Sequence, residues 1–345
     1  MKNKRIAIVG GGIMGRLLSL HCAEKKYHVS LFDKNDEEGR GTCSYAAAGM
    51  LAPYAELEKA EEEVFTLGIS SFALWPKILQ KWGKNVFYQK KGTIVIAHSQ
   101  EQKELEHLAS KMKKYQAIAH SFIQPLSGSD IQNIEPHLPK KFQKGLFLSE
   151  EAHLDVRSLL RTLKDELSSF ENVNLHFHTL VSEIKSGKIL LESEWIDFDL
   201  VFDCRGLGAQ DDLKDLRGVR GEIMRIKSEE VSLSRPVRLL HPRYPLYIVP
   251  LENHEYILGA TLIESESTKN ISVQSVLELL SAAYSIHTGF AEAEVLEFTA
   301  QLRPGFSDNV PKIIQEDEKL IRINGLYRHG FLSSPALCER AMALL

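Results

Sequence analysis

Three glycines and one acid near the start of the chain have the types and spacing to hold a nucleotide. Gly10-Gly11-Gly12-Ile13-Met14-Gly15 satisfies G-x-G-x-x-G, and Asp33 stands eighteen residues after Gly15. In such a turn Gly10 permits the tight bend, Gly12 lets backbone approach a pyrophosphate, and Gly15 lets a helix pack closely on the preceding strand. The phosphates meet free N–H groups at the helix start, around Ile13 and Met14, and the positive end of the helix dipole. Asp33, followed by Lys34, can accept hydrogen bonds from both ribose hydroxyls and disfavours a 2′-phosphate, which argues against NADP. The motif fits NAD and FAD equally.

The elements needed to position these residues are legible around them. Residues 5–9 form a β-branched run typical of a strand buried on both faces. Leu17, Leu18, Leu20 and Cys22 follow at helix-compatible spacing, and residues 29–32 read as a second strand ending at Asp33. A glycine turn with strand, helix, second strand and terminal acid all in order is a specific signal, whereas the glycines alone are not.

Composition narrows the rest. At 345 residues the chain is long enough for about two domains. Its 43% hydrophobic and 26% charged content excludes wholesale disorder. A net charge of -4 and pI near 6.4 argue against a nucleic-acid partner. No apolar run reaches the roughly 18 residues of a membrane span, so no stable membrane insertion is expected. Cys22, Cys43, Cys204 and Cys338 are scattered without metal-site spacing, so no metal is expected, and lone thiols suit a reducing compartment. Lys2, Lys4 and Arg5 before an apolar run imitate a signal peptide, but the glycines and Arg16 interrupt it. The expected location is the cytoplasm.

Further along, the pattern predicts a helix over 56–82, a strand over 88–97, a charged helix over 102–119 and an Asp155-capped helix to 167. Strands are predicted over 173–184, 196–204, 219–226, 247–263 and 320–323, with a helix over 273–286 and a last helix from Pro335. This order specifies an α/β fold: a Rossmann-like domain interrupted twice by an α+β unit with a mainly antiparallel sheet. Pattern shifts, together with the family resemblance described next, assign residues 1–84, 140–218 and 300–345 to the nucleotide-binding domain, and 85–139 and 219–299 to a substrate-binding domain.

Residues 39–53, GRGTCSYAAAGMLAP, are rich in small side chains. They fit either a tightly packed loop or backbone lying against a large flat ligand. The wording resembles the D-amino-acid oxidase family of FAD enzymes, and AAAGMLAP followed by Glu56 is most similar to its glycine-oxidising branch, which is associated with thiamine thiazole synthesis. The resemblance continues through Val219-Arg220-Gly221-Glu222, through Leu246-Tyr247-Ile248-Val249-Pro250 with Gly259-Ala260-Thr261, and through Leu302-Arg303-Pro304-Gly305. It ends in Arg328-His329-Gly330-Phe331-Leu332 before Pro335.

The resemblance implies FAD as the cofactor, contacted by Arg40, Thr42, Cys43, Ser44, Ala47, Ala48, Gly49, Met50 and Leu51, then by Val181, Arg205, Gly206 and Leu207. Arg303, Arg328, His329, Gly330, Phe331 and Leu332 complete that set. The binding is expected to be noncovalent, because the flavin-linking cysteine of sarcosine-oxidase relatives has no counterpart; Cys338 lies past Pro335. The implied activity is oxidative deamination of glycine, sarcosine or a small D-amino acid. Hydride passes to flavin N5, oxygen is the acceptor, and the products are imine or α-keto acid, ammonia and hydrogen peroxide. Alternatives on the same fold are a quinone-linked D-amino-acid dehydrogenase and an inactive flavoprotein. The family also makes a homo-oligomer plausible.

Within this reading Arg303 clamps the substrate carboxylate, since a guanidinium offers it two parallel charge-assisted bonds. Tyr247 adds a third. Arg328 either contacts substrate or pairs with a carboxylate in the C-terminal loop. Two departures stand out: Arg205 replaces a usual alanine, with FAD phosphate, Asp211 or Asp212 as candidate partners, and Leu262 replaces a methionine. His241, Arg243 and Tyr244 fit ordinary loop polarity better than a site mouth.

Overall fold

The computed structural model describes residues 4–57, 60–113 and 122–345. Arg5–Val9 is a central strand with Ile6, Ala7 and Ile8 wholly buried. It pairs in parallel with His28–Phe32 on one side and Leu200–Asp203 on the other. The six-stranded sheet runs Lys312–Asp317, Leu320–Asn324, Leu200–Asp203, Arg5–Val9, His28–Phe32, Val173–His176. Only Lys312–Asp317 is antiparallel to its neighbour. Helices Ile13–Glu24, Glu62–Trp82, Val156–Ser168 and Gly330–Met342 cover one face through Leu17, Trp75, Leu163 and Leu337. A three-stranded antiparallel sheet, Val181–Lys185, Lys188–Leu191 and Glu194–Asp197, covers the other through Val181, Ile184 and Ile189. Cover on both faces is why these strands are continuously apolar.

A second sheet has eight strands in the order Glu294–Gly305, Arg217–Lys227, Glu255–Gly259, Leu246–Pro250, Val237–Leu240, Thr93–Ala97, Lys144–Leu148, Ile123–Ser127. Only Val237–Leu240 and Thr93–Ala97 pair in parallel. Helix Val273–Ile286 packs on it with Leu279, Ala283 and Ile286 against Met224, Ile248 and Leu258. Among the described residues no helix is long and apolar enough to cross a membrane.

Several elements differ from expectation for local reasons. The strand over 88–97 is two, Tyr88–Gln89 and Thr93–Ala97, because Gly92 adopts φ 72° and sends the halves into different sheets. Likewise 173–184 and 196–204 each divide between the six-stranded sheet and the three-stranded cover. The helix over 56–82 is a short Pro53–Glu56 turn and then Glu62–Trp82, while the helix over 102–119 is seen as Gln102–Lys113, and 114–119 lie outside the described residues. The last helix begins at Gly330, with Pro335 inside it. Proline has no N–H for the Phe331 carbonyl, and the Trp75 indole N–H donates to that carbonyl instead at 2.9 Å.

Lys144–Leu148, allotted on sequence to the nucleotide-binding domain, sits between Thr93–Ala97 and Ile123–Ser127 in the eight-stranded sheet. Residues 218 and 300 fall inside the paired strands Arg217–Lys227 and Glu294–Gly305. We propose that the two units divide by sheet membership, with Lys144–Leu148 in the second.

Candidate active site

The glycine turn links strand Arg5–Val9 to helix Ile13–Glu24. Gly10 has φ 110°, and a Cβ there would lie 2.3 Å from the Cys204 carbonyl oxygen. A Cβ on Gly15 would lie 1.9 Å from the Gly10 oxygen, so Gly15 serves helix–strand packing and is absent from the cavity wall. Gly12 is different: the nearest atom to its Cβ would be Ser44 Oγ at 3.1 Å. Ser44 Oγ itself accepts the Ile13 N–H at 3.0 Å. Asp33, buried at the end of its strand, accepts from the Gly11 N–H, from the Asn35 N–H at 2.7 Å and from the Asn35 side-chain amide at 2.9 Å.

Behind the turn lies Arg16, which is fully buried. Its guanidinium donates to the carbonyls of Gly11 (2.7 Å), Leu160 (2.6 Å) and Glu37 (2.8 Å). Burial pushes this group down to about 10, so it remains a cation at neutral pH. The signal in the sequence was an arginine on an otherwise apolar helix face.

From this turn a cavity of about 710 Å³ runs to the eight-stranded sheet. Its wall holds Gly10, Gly12, Ile13, Met14, Asp33, Lys34, Thr42, Cys43, Ser44, Ala47, Ala48, Gly49, Met50, Val181, Arg205, Gly206 and Leu207. At the far end are Tyr247, Arg303, Arg328, His329, Gly330, Phe331 and Leu332. Besides Gly15, two expected residues are elsewhere. Arg40 is exposed, facing Asp36 and Glu38 at 3.8 Å each. Leu51 is wholly buried in the helix-side core.

Arg303 and Tyr247 occupy the outer two of four consecutive strands, with glycines on the inner two. The Arg303 guanidinium lies over Gly221, and the Tyr247 ring over Gly259, its cross-strand partner. Arg303 Nη1 donates to the Thr261 carbonyl at 3.1 Å. Burial pushes the Tyr247 hydroxyl upward, opposed by the nearby Arg303 and Arg328 cations. It is therefore protonated and can donate.

Glu56 also lines this end and is the main residue that sequence reasoning missed. It accepts from Arg328 Nε at 3.0 Å and Nη2 at 2.7 Å, and His329 Nδ1 is 3.4 Å away. Burial opposes its charge, yet Arg328 and Arg238, joined by His329 once that ring is protonated in acid, hold its carboxyl down at about 2. Arg328 thus pairs with a carboxylate, but one just past the small-residue segment and not from its own loop. Burial pushes His329 down to about 4, leaving it neutral. Gly330, Phe331 and Leu332 form the first turn of the last helix, whose N–H groups have no intrahelical acceptors. This places polar N–H groups and a helix dipole at the cavity wall.

Arg205 is bound to Asp203 at 2.9 Å and to Asp212 at 2.5 Å. Arg322 joins the same two acids at 2.5 and 3.2 Å. Of the acids expected from sequence, Asp212 is the one engaged, and Asp203 at the end of the neighbouring strand joins it. Cys43 donates to the Leu302 carbonyl at 2.6 Å, and burial pushes its thiol up to about 11. His241 pairs with Glu101 at 3.3 Å and stacks on Tyr244; neither residue nor Arg243 forms part of the cavity wall.

A parallel sheet with a glycine turn, an acid at the end of the second strand and a cavity leading to a cationic recess is the arrangement of a dinucleotide-dependent enzyme class. The chain belongs to the FAD dependent oxidoreductase family, whose model matches residues 5–344. It is 38% identical over 342 residues to a putative thiamine biosynthesis oxidoreductase ThiO of Rhizobium etli, covering 99% of this chain and 96% of that one. A glycine oxidase of Geobacillus kaustophilus is 26% identical over 344 residues, with 96% and 89% covered. The structure of a glycine oxidase from Bacillus cereus matches the fold with a TM-score of 0.83 at 23% identity, covering 99% and 96% of the two chains. FAD is the family's cofactor. The residues present fit it: Gly12 leaves a cradle that a side chain would fill, and Asp33 at the end of the second strand lines the same cavity.

Proposed function

We propose that the chain oxidises the α-carbon of a small amino acid, with glycine as the leading substrate and sarcosine or small D-amino acids as relatives of it. The observation that carries this reading is the pair Arg303 and Tyr247, leaning over two glycines in the wall of the cavity that Asp33 also lines. A guanidinium fork takes a carboxylate through two parallel bonds, and the protonated tyrosine donates a third. Three bonds to one carboxylate fix the α-carbon, and orientation is a large share of a transfer reaction's acceleration. Glu56 holds Arg328 in place, so Arg303 is the cation presented to the substrate.

When bound, FAD supplies the two-electron acceptor and returns those electrons to oxygen, which leaves as hydrogen peroxide. The amino acid loses a hydride and a proton, and the resulting imine takes up water to give a keto acid and ammonia. FAD binding is noncovalent in this reading. Cys338 and Cys22 are buried in the helix-side core, and Cys43 in the cavity wall is held as a thiol.

The test is anaerobic bleaching of the flavin by glycine, sarcosine, D-alanine, D-proline and a bulkier D-amino acid, followed by air and peroxide assay. Fast bleaching by the small amines with peroxide on aeration is expected. Bleaching only by bulky substrates, with slow reoxidation, would support a dehydrogenase instead.

A further inference from the structure

Residues 261–272 cross from the end of strand Glu255–Gly259 to helix Val273–Ile286, and Thr261, Leu262, Ser267 and Thr268 face the cavity. This strap starts at the substrate end, since the Thr261 carbonyl is the acceptor of Arg303. Its outer side is fastened by exposed contacts: Arg217 to Glu264 at 3.4 Å, and Glu266 to the Gly218 N–H at 2.8 Å and Gln210 at 2.9 Å. Exposed contacts of this kind hold weakly.

The inner side is fastened by two buried side chains, Arg220 and Glu222, and Glu222 itself accepts from Thr261 Oγ1 at 3.3 Å and from the Ser272 backbone. Arg220 Nη1 donates to the carbonyls of Ser267 and Lys269, each at 2.6 Å, and Nη2 donates to Asn270 at 2.8 Å. The same guanidinium is held from below by Glu222, through Nε at 2.9 Å and Nη2 at 2.6 Å. Glu222 is wholly buried and Arg220 nearly so. The Arg220 backbone also exchanges hydrogen bonds with Ile263 at 2.9 and 3.0 Å. Only a planar fork with five donors can bridge a carboxylate and three separate carbonyls; a lysine ammonium is too compact.

We infer that Arg220 is a positioning residue that fixes the strap over Arg303 and thereby restricts the site to small substrates. This rests on the reading of Arg303 as the carboxylate clamp.

The test uses the FAD-loaded protein, with acetate and benzoate as small and bulky carboxylate probes read by flavin absorbance. Arg220→Met would leave Glu222 charged and buried, so the double variant Arg220→Met/Glu222→Met is the safer one, since replacing both partners of a buried pair is often tolerated. In it, and in Arg220→Lys, amide hydrogen exchange over 263–271 should accelerate while that of strand Arg217–Lys227 does not. Affinity for benzoate relative to acetate should rise at least about tenfold, the scale on which pocket size discriminates. On glycine, KM should rise more than kcat falls. An unchanged exchange rate in the strap, or an unchanged benzoate-to-acetate ratio, overturns the proposal, as does a wild type that binds neither acid. Lower FAD content without a change in the ratio would mean a merely structural role, and also overturns it. Undiminished acetate binding in Arg303→Ala would instead remove the clamp reading, while the exchange and ratio measurements would still report on Arg220.

Discussion

The guanidinium of Arg303 rests on the bare backbone of Gly221, where a Cβ would lie 2.1 Å from Cζ and Nη2. Gly221→Ala should therefore displace the clamp without touching the cofactor. We expect its kcat/KM on glycine to fall as far as that of Arg303→Ala, a loss of about 2–5 kcal/mol in binding a desolvated charge, with FAD content unchanged. Steady-state kinetics beside a flavin-to-protein absorbance ratio checks both halves.

Gly10 and Gly12 should fail differently. Gly10 has φ 110° and touches the Cys204 carbonyl, so Gly10→Ala should lower the thermal midpoint of the apoprotein itself. Gly12 has φ −70° and only Ser44 Oγ near its Cβ position. Gly12→Val should leave the apoprotein folded and lose FAD, as measured by flavin retained through gel filtration. Full occupancy in Gly12→Val would contradict the reading of the turn.

Glu56 links acid stability to the substrate end. Its folded value, about 2, lies below the ordinary 4.5, so its contribution is present above 4.5 and disappears as pH falls toward 2. Glu56→Gln should cost about 2 kcal/mol at pH 7, the scale of charged hydrogen bonds. The variant's deficit should shrink at pH 3. Denaturant melts at both pH values make the comparison.

Glu151 should behave with the opposite sign. It is wholly buried, its Oε1 accepts the Ala55 N–H at 2.7 Å, and burial raises it from 4.5 to about 7. Its neutral form favours the fold, so stability is full below 4.5 and is lost as pH rises through 7, on the order of 3 kcal/mol. Glu151→Gln keeps the acceptor and removes the titration. Relative to wild type it should gain stability between pH 5 and pH 8, readable from unfolding midpoints; a constant difference would refute the assignment.

What could be read from sequence was local or carried by a motif. Gly10, Gly12, Gly15 and Asp33 act within one strand–helix–strand unit, so their spacing specifies their geometry. Arg303 and Tyr247 were found through the words around them, but the two glycines that seat them were not, because strand register places Gly221 and Gly259 beneath them. Glu56 and Arg328 stand 272 residues apart, and no local pattern joins them. Arg16 looked like a break in a targeting signal and is instead a buried anchor of three carbonyls. Pro335 suggested a helix start because its lost hydrogen bond was visible, whereas the Trp75 indole that takes its place was not.

The helix Gly330–Met342 has a consequence for biosynthesis. It packs on helix Ile13–Glu24 and supplies one end of the cavity, and its Ala336 N–H donates to Ser71 Oγ at 3.0 Å. The central strand likewise waits for Leu200–Asp203 to pair its second edge. A chain under synthesis thus displays the glycine turn long before Gly330, Phe331 and Leu332 complete the cavity wall. Domains usually fold as units during synthesis; here the order of the chain puts the glycine turn far ahead of the strand and helix that complete its surroundings, and leaves the first strand to depend on partners that have not yet been made.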